Sequence, residues 1–139
     1  MATYNKFEPF TEAVAEKIHN LGSDTLKVML TNSAPVAANG VKADLTDIAA
    51  GSGYTAGGTA VANVTSSQTS GVYKLVGDDV VFTASGGTIG PFQYAVLYND
   101  TAASDNLIAW WNYGSAVTLA DGETFTVNFS GATGILTIT

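Results

Sequence analysis

The chain has no cysteine, no arginine and only one histidine, His19, in 139 residues. Without thiols there is no disulfide framework, no thiolate metal site and no cysteine nucleophile. A single imidazole leaves transition-metal centres and the Ser-His-Asp or Cys-His arrangements almost nothing to build on. Positive charge is equally scarce: five lysines, Lys6, Lys17, Lys27, Lys42 and Lys74, stand against twelve acids, for a formal charge of −7. Affinity for phosphate needs a clustered basic footprint, so neither nucleic acid nor an anionic membrane is an expected partner. No stretch approaches 18 uninterrupted apolar residues, and the opening Thr3-Tyr4-Asn5-Lys6-Phe7-Glu8 has no apolar targeting core. The expectation is a soluble protein made in the cytoplasm of its producer.

Charged residues make up only 12% of the chain and hydrophobic residues 46%. That balance excludes disorder. It also means that much of the surface is Thr, Ser, Asn and Gly, or lies against another molecule. A chain of this length buries roughly 70% of its unfolded surface as one unit, so residues 1-139 are read as a single domain.

Phe7, Phe10, Val14, Ile18 and Leu21 recur at spacings of three and four, which predicts an amphipathic helix over 7-22. Pro9 suits its first turn and Gly22 the left-handed position past its end. The period then changes to two, with a strand at Thr25 to Thr31. Residues 32-58, rich in glycine around a single helical turn at Leu45 to Ile48, read as a long loop, functional or packed against a partner. From Thr59 onward the expected strands are Ala60 to Thr69, Val72 to Val76, Asp79 to Ala84, Phe92 to Tyr98, Leu107 to Asn112, Thr124 to Phe129 and Ile135 to Thr139, separated by Gly, Asn and Asp turns. The fold class is therefore mainly β, a jelly-roll-like β-sandwich of about eight strands over 25-139 with one N-terminal α-helix.

Leu107-Ile108-Ala109-Trp110-Trp111 has no polar face. Adjacent residues of a strand point to opposite sides, so one tryptophan fills the core and its neighbour needs cover from the helix, the loop or another subunit. Chemistry is thin elsewhere. His19 reads as a helix-end residue. The acids Asp78, Asp79, Asp100, Asp105, Asp121 and Glu123 fall in turns, where carboxylates cap backbone N–H groups. Glycoside cleavage by a carboxylate pair, or calcium held by these loops, is the less favoured reading. Gly86-Gly87-Thr88-Ile89-Gly90 runs into a strand instead of opening a helix, so it is a turn and not a phosphate loop. Trp110, Trp111 and Tyr113, with Tyr94 and Tyr98, form either core or a sugar-stacking platform, and exposure decides between the two.

Lys6-Phe7-Glu8-Pro9-Phe10, Ala15-Glu16-Lys17-Ile18-His19-Asn20-Leu21-Gly22, Thr25-Leu26-Lys27-Val28, Gly53-Tyr54-Thr55-Ala56-Gly57-Gly58, Gly90-Pro91-Phe92-Gln93-Tyr94-Ala95-Val96-Leu97-Tyr98-Asn99-Asp100 and Trp110-Trp111 together resemble small virion proteins of tailed bacteriophages. The resemblance implies a non-enzymatic capsid cement or decoration protein without a cofactor. Its implied partners are the major capsid protein and itself, as a homotrimer or homodimer. Its implied place is the head surface of the virion, after synthesis in the host bacterial cytoplasm. The expected contact surface takes Tyr4, Phe7 and Phe10 from the N-terminal segment, Tyr54 from the loop, and Trp110, Trp111 and Tyr113. A tail, fibre or head-spike module that binds a host glycan is the competing expectation.

Overall fold

A computed structural model describes residues 2–129 and 131–139. The chain is mainly β; among the described residues there are ten strands, all paired antiparallel, and one short α-helix. The strands are β1 (Tyr4–Lys6), β2 (Leu26–Thr31), β3 (Thr59–Ala60), β4 (Thr65–Thr69), β5 (Val72–Val76), β6 (Val80–Thr83), β7 (Ile89–Asn99), β8 (Leu107–Leu119), β9 (Thr124–Val127) and β10 (Leu136–Ile138). Five form one sheet in the order β1-β8-β7-β2-β3. The rest form a three-stranded sheet, β10-β5-β4, and a two-stranded ribbon, β6-β9. Among the described residues no helix is long and apolar enough to cross a membrane.

Period-two alternation puts β2, β7 and β8 of the large sheet into two cores. On one face Leu26, Val28, Leu30, Ala95, Leu97 and Ile108 meet Leu75, Val80, Phe82, Phe125, Val127 and Leu136 of the smaller sheets. On the other face Met29, Val96, Tyr98 and Leu107 gather with Phe7 and Leu45, and Trp110 packs against them. The second core explains why β7 and β8 are apolar on both sides. The large sheet is covered twice, once by the smaller sheets and once by Phe7 and the loop.

The helix is shorter than its periodicity predicts. α1 spans Pro9–Ala15, not 7-22. Lys17 takes the left-handed conformation at φ 69°. The Ile18 N–H then donates to the Ala13 carbonyl at 2.9 Å and the Lys17 N–H to that of Val14 at 3.4 Å. This 6→1 and 5→2 pair is a Schellman termination. Past it the helical register is lost, so Ile18 is 43% exposed while His19 and Leu21 turn inward.

The loop between β2 and β3 folds back onto its own chain. Its helical turn lies at Lys42–Asp44, capped by the Asp44 carboxylate accepting from the Gly40 and Val41 N–H groups, and Leu45 to Ile48 is not helical. Asp47 instead bridges Thr31 and accepts hydrogen bonds from the Tyr54 hydroxyl and the Gly57 N–H. The return approaches β2 so closely that a Cβ on Gly58 would sit 1.9 Å from the Val28 carbonyl oxygen. Only glycine fits there.

Two further departures concern strands. The expected Ala60 to Thr69 run breaks into β3 and β4 around Asn63, at φ 53°. β8 continues seven residues beyond Asn112 to Leu119, and four of them, Tyr113 to Ala116, bulge opposite Gln93 alone.

Candidate functional site

An aromatic surface lies where β1, β8 and the end of β9 meet. β1 pairs with β8 so that Tyr4 stands opposite Trp111. Their rings meet edge to face at 5.9 Å, and the Trp111 ring lies 5.9 Å from that of Phe129. In the bulge Tyr113 reaches over Phe125 at 4.4 Å, also edge to face. The Asn112 carboxamide holds the bulge by accepting from the Gly114 N–H at 2.7 Å and from the Gln93 amide at 3.1 Å. Tyr4 and Tyr113 remain 38% and 47% exposed. Burial of the rest of its side chain pushes the Tyr4 hydroxyl pKa up, so it stays a neutral donor at physiological pH.

Trp111 is the hinge of this surface. On one side it lines a groove of about 370 Å³ with Tyr4, Asn128, Phe129 and residues 133–137. On the other it shares a smaller hollow of about 100 Å³ with Tyr113, Phe125 and Asn128. Among the described residues no charged side chain lines either one.

The structure therefore brings three of the seven expected contact residues together: Tyr4, Trp111 and Tyr113. The other four are placed elsewhere. Phe7 is fully buried on the outer face of the large sheet, with Trp110 half-buried 4.5 Å from it. Phe10 is sealed in the main core under α1 beside His19. Tyr54 is buried against Phe82, its hydroxyl accepting from the Leu30 N–H at 3.0 Å. These three offer no surface to a partner, because each anchors its own segment to the chain's own core. Phe125 and Phe129, both buried, underlie the exposed rings and were not expected at this site. The alternation Thr124-Phe125-Thr126-Val127-Asn128-Phe129 is their signal, since it puts both rings on one side with Val127.

Most of the carboxylates singled out in the sequence have structural partners. Asp79 accepts from the Phe129 N–H, Asp121 from Gly86, Glu123 from Ala120, and Asp100 pairs with Lys27 at 3.1 Å. Among the described residues no three His, Asp or Glu side chains gather to hold a metal. His19 is 8% exposed and lies beside Asn99, which is fully buried. The Asn99 carbonyl oxygen accepts from the N–H groups of Thr101 and Ala102, so its amide nitrogen faces His19 Nδ1 at 3.0 Å and Asp24 at 2.6 Å. That geometry makes Nδ1 an acceptor and the imidazole neutral. Burial lowers the His19 pKa, opposed by the nearby Asp24 carboxylate.

Compared with family models, with curated proteins and with solved structures, the chain shows no significant match to any of them.

Proposed function

We propose that this chain is a non-enzymatic structural protein of a tailed-phage virion, a capsid cement protein that binds the outside of an assembled shell. The observation that carries the reading is the uncharged aromatic surface of Tyr4, Trp111 and Tyr113, held on rigid strands in a chain of net charge −7. Phe125 and Phe129 support these rings from below, so they are presented without a large loss of side-chain freedom on docking. The motif resemblance to phage virion proteins supports the same reading. So do the nested strand pairs β5 with β10, β6 with β9 and β7 with β8, the pairing of a rolled-up antiparallel ribbon, which favours a jelly-roll-like sandwich.

The mechanism is mass action. A protein that binds only the assembled shell raises the free energy of disrupting it, as any ligand of a native state does. Repetition over many equivalent positions, with copies also touching one another, lets weak single contacts sum through avidity. Co-sedimentation of purified protein with empty expanded heads tests the reading: wild type pellets with heads, and Trp111→Ala combined with Tyr113→Ala stays in the supernatant.

One observation favours a second reading. The groove of about 370 Å³ beside Trp111 is neutral and mixes aromatic rings with Asn128 and Thr137, a lining suited to the apolar face and hydroxyls of a sugar. In a tail, fibre or head-spike module this groove binds a host glycan. Saturable sugar binding that Trp111→Ala abolishes, without head binding, selects it over the cement reading.

A further inference from the structure

β4 is the terminal strand of its sheet, and all five of its residues, Thr65-Ser66-Ser67-Gln68-Thr69, are exposed. Natural sheet edges are guarded against pairing by charge, proline or a bulge. β4 has none of these, and its ladder with β5 runs without a register shift. Among the described residues it is the longest edge strand. β1 carries Lys6, β3 has two residues, and β10 has three. In a chain with twelve acids, an uncharged five-residue edge is where a second copy approaches without like charges meeting.

The register decides which backbone groups are free. Ser70 and Gly71, at φ 50° and 82°, form a two-residue hairpin turn of the I′ kind, so Thr69 and Val72 exchange hydrogen bonds across it. Alternation then turns the backbone groups of Thr69, Ser67 and Thr65 toward β5 and leaves those of Ser66 and Gln68 pointing away from the sheet.

We propose that two copies of this chain pair edge to edge through β4, antiparallel, about a two-fold axis at Ser67. Ser66 of each copy exchanges both backbone hydrogen bonds with Gln68 of the other, four bonds in all, and Thr65 stands opposite Thr69, a favourable β-branched cross-strand pair. The two sheets of β10-β5-β4 join into one of six strands. Such an interface is isologous and closes on itself. It deepens the self-association in the cement reading and rests on that reading only for the expectation that copies assemble.

Across the axis Ser67 faces Ser67 as a non-hydrogen-bonded pair, with Cα atoms ~4.5 Å apart. That lies inside the span of about 4.4 to 6.8 Å that a disulfide bridges. Thr69 of the two copies lie ~14 Å apart, four strand residues from register. Because the chain has no cysteine, each introduced thiol reports alone. Under mild oxidation Ser67→Cys forms a covalent dimer and Thr69→Cys does not, while a mixture of Thr65→Cys and Thr69→Cys chains cross-links. In sedimentation equilibrium the wild type is a dimer. Ser67→Lys and Ser67→Asp keep the backbone bonds of the β5 ladder, with Lys74 opposite position 67 in the same chain; each weakens the dimer by about tenfold or more through like charges across the axis, and mixing the two restores it. A monomeric wild type, a Ser67→Lys dimer as tight as the wild type, or cross-linking of Thr69→Cys as fast as Ser67→Cys overturns the proposal. Head binding by a monomeric Ser67→Lys chain separates failure of this interface from failure of the cement reading.

Discussion

Trp110 and Trp111 are neighbours in the chain and stand on opposite faces of the five-stranded sheet, Trp110 against Phe7 and Trp111 between Tyr4 and Phe129. The first closes the outer core and the second is the centre of the exposed aromatic surface. Their substitutions therefore differ in their effect on binding. Trp110→Ala uncovers the fully buried Phe7 and costs about 3 kcal/mol in urea unfolding. Trp111→Ala, half-buried like Trp110 and packed on the main core, also costs stability, and on the proposed reading it is the one of the two that removes head binding.

Stability falls on mild acidification, and His19 is the reason. Its pKa is lowered in the folded chain, chiefly by burial, so the unfolded chain binds more protons over the range between the two values. Stability then rises with pH across that range. The contribution of neutral His19 is fully present above the unfolded value of about 6.5 and is lost as pH falls from there through the lower folded value. Protonation at Nδ1 would set one N–H against that of Asn99. The expected result is a urea midpoint that drops between pH 7 and pH 5, with the drop reduced in His19→Gln.

The Tyr54 hydroxyl ties the long loop to β2 by accepting from the Leu30 N–H and donating to Asp47. Burial, then the hydrogen bond to Asp47, drives its pKa far above the usual tyrosine value, so it remains a donor under all ordinary conditions. Tyr54→Phe leaves a buried N–H and a carboxylate oxygen unpaired. It costs about 2 kcal/mol. Faster amide exchange across residues 46–58 is the accompanying signature.

Lys17 ends α1 in a conformation that strains a side chain bearing a Cβ. Lys17→Gly relieves the strain and gives back part of the gain as unfolded-chain entropy, for a net stabilisation of about 0.5 kcal/mol. A thermal melt that is unchanged or lowered contradicts this account of why the helix stops early.

The extent to which the sequence was readable follows from the length of each signal. Val72 to Val76 is found as expected because a period-two run flanked by Ser70-Gly71 and Gly77 marks both ends. The opposed tryptophans were legible for the same reason. The helix was overextended because the stripe Phe7 to Leu21 continues past Lys17, and a lysine gives no sign that it will occupy a glycine-like conformation. β1 went unseen because three residues show no period; its partner β8 makes it a strand. Gly114 and Ser115 look like a turn but form a bulge within β8, which is what carries Tyr113 onto the surface. Phe7, Phe10 and Tyr54 could not be told from surface aromatics, since an apolar ring beside polar neighbours serves a core or an interface equally well until the packing is known.

The most direct test of the proposed cement role is quantitative binding of the purified protein to empty expanded phage heads, wild type beside Trp111→Ala with Tyr113→Ala. The account predicts saturation at a fixed number of copies per head, greater resistance of the coated heads to heat, and loss of both in the double variant, which keeps its fold. A wild type that leaves heads bare, or a double variant that coats them equally well, contradicts it.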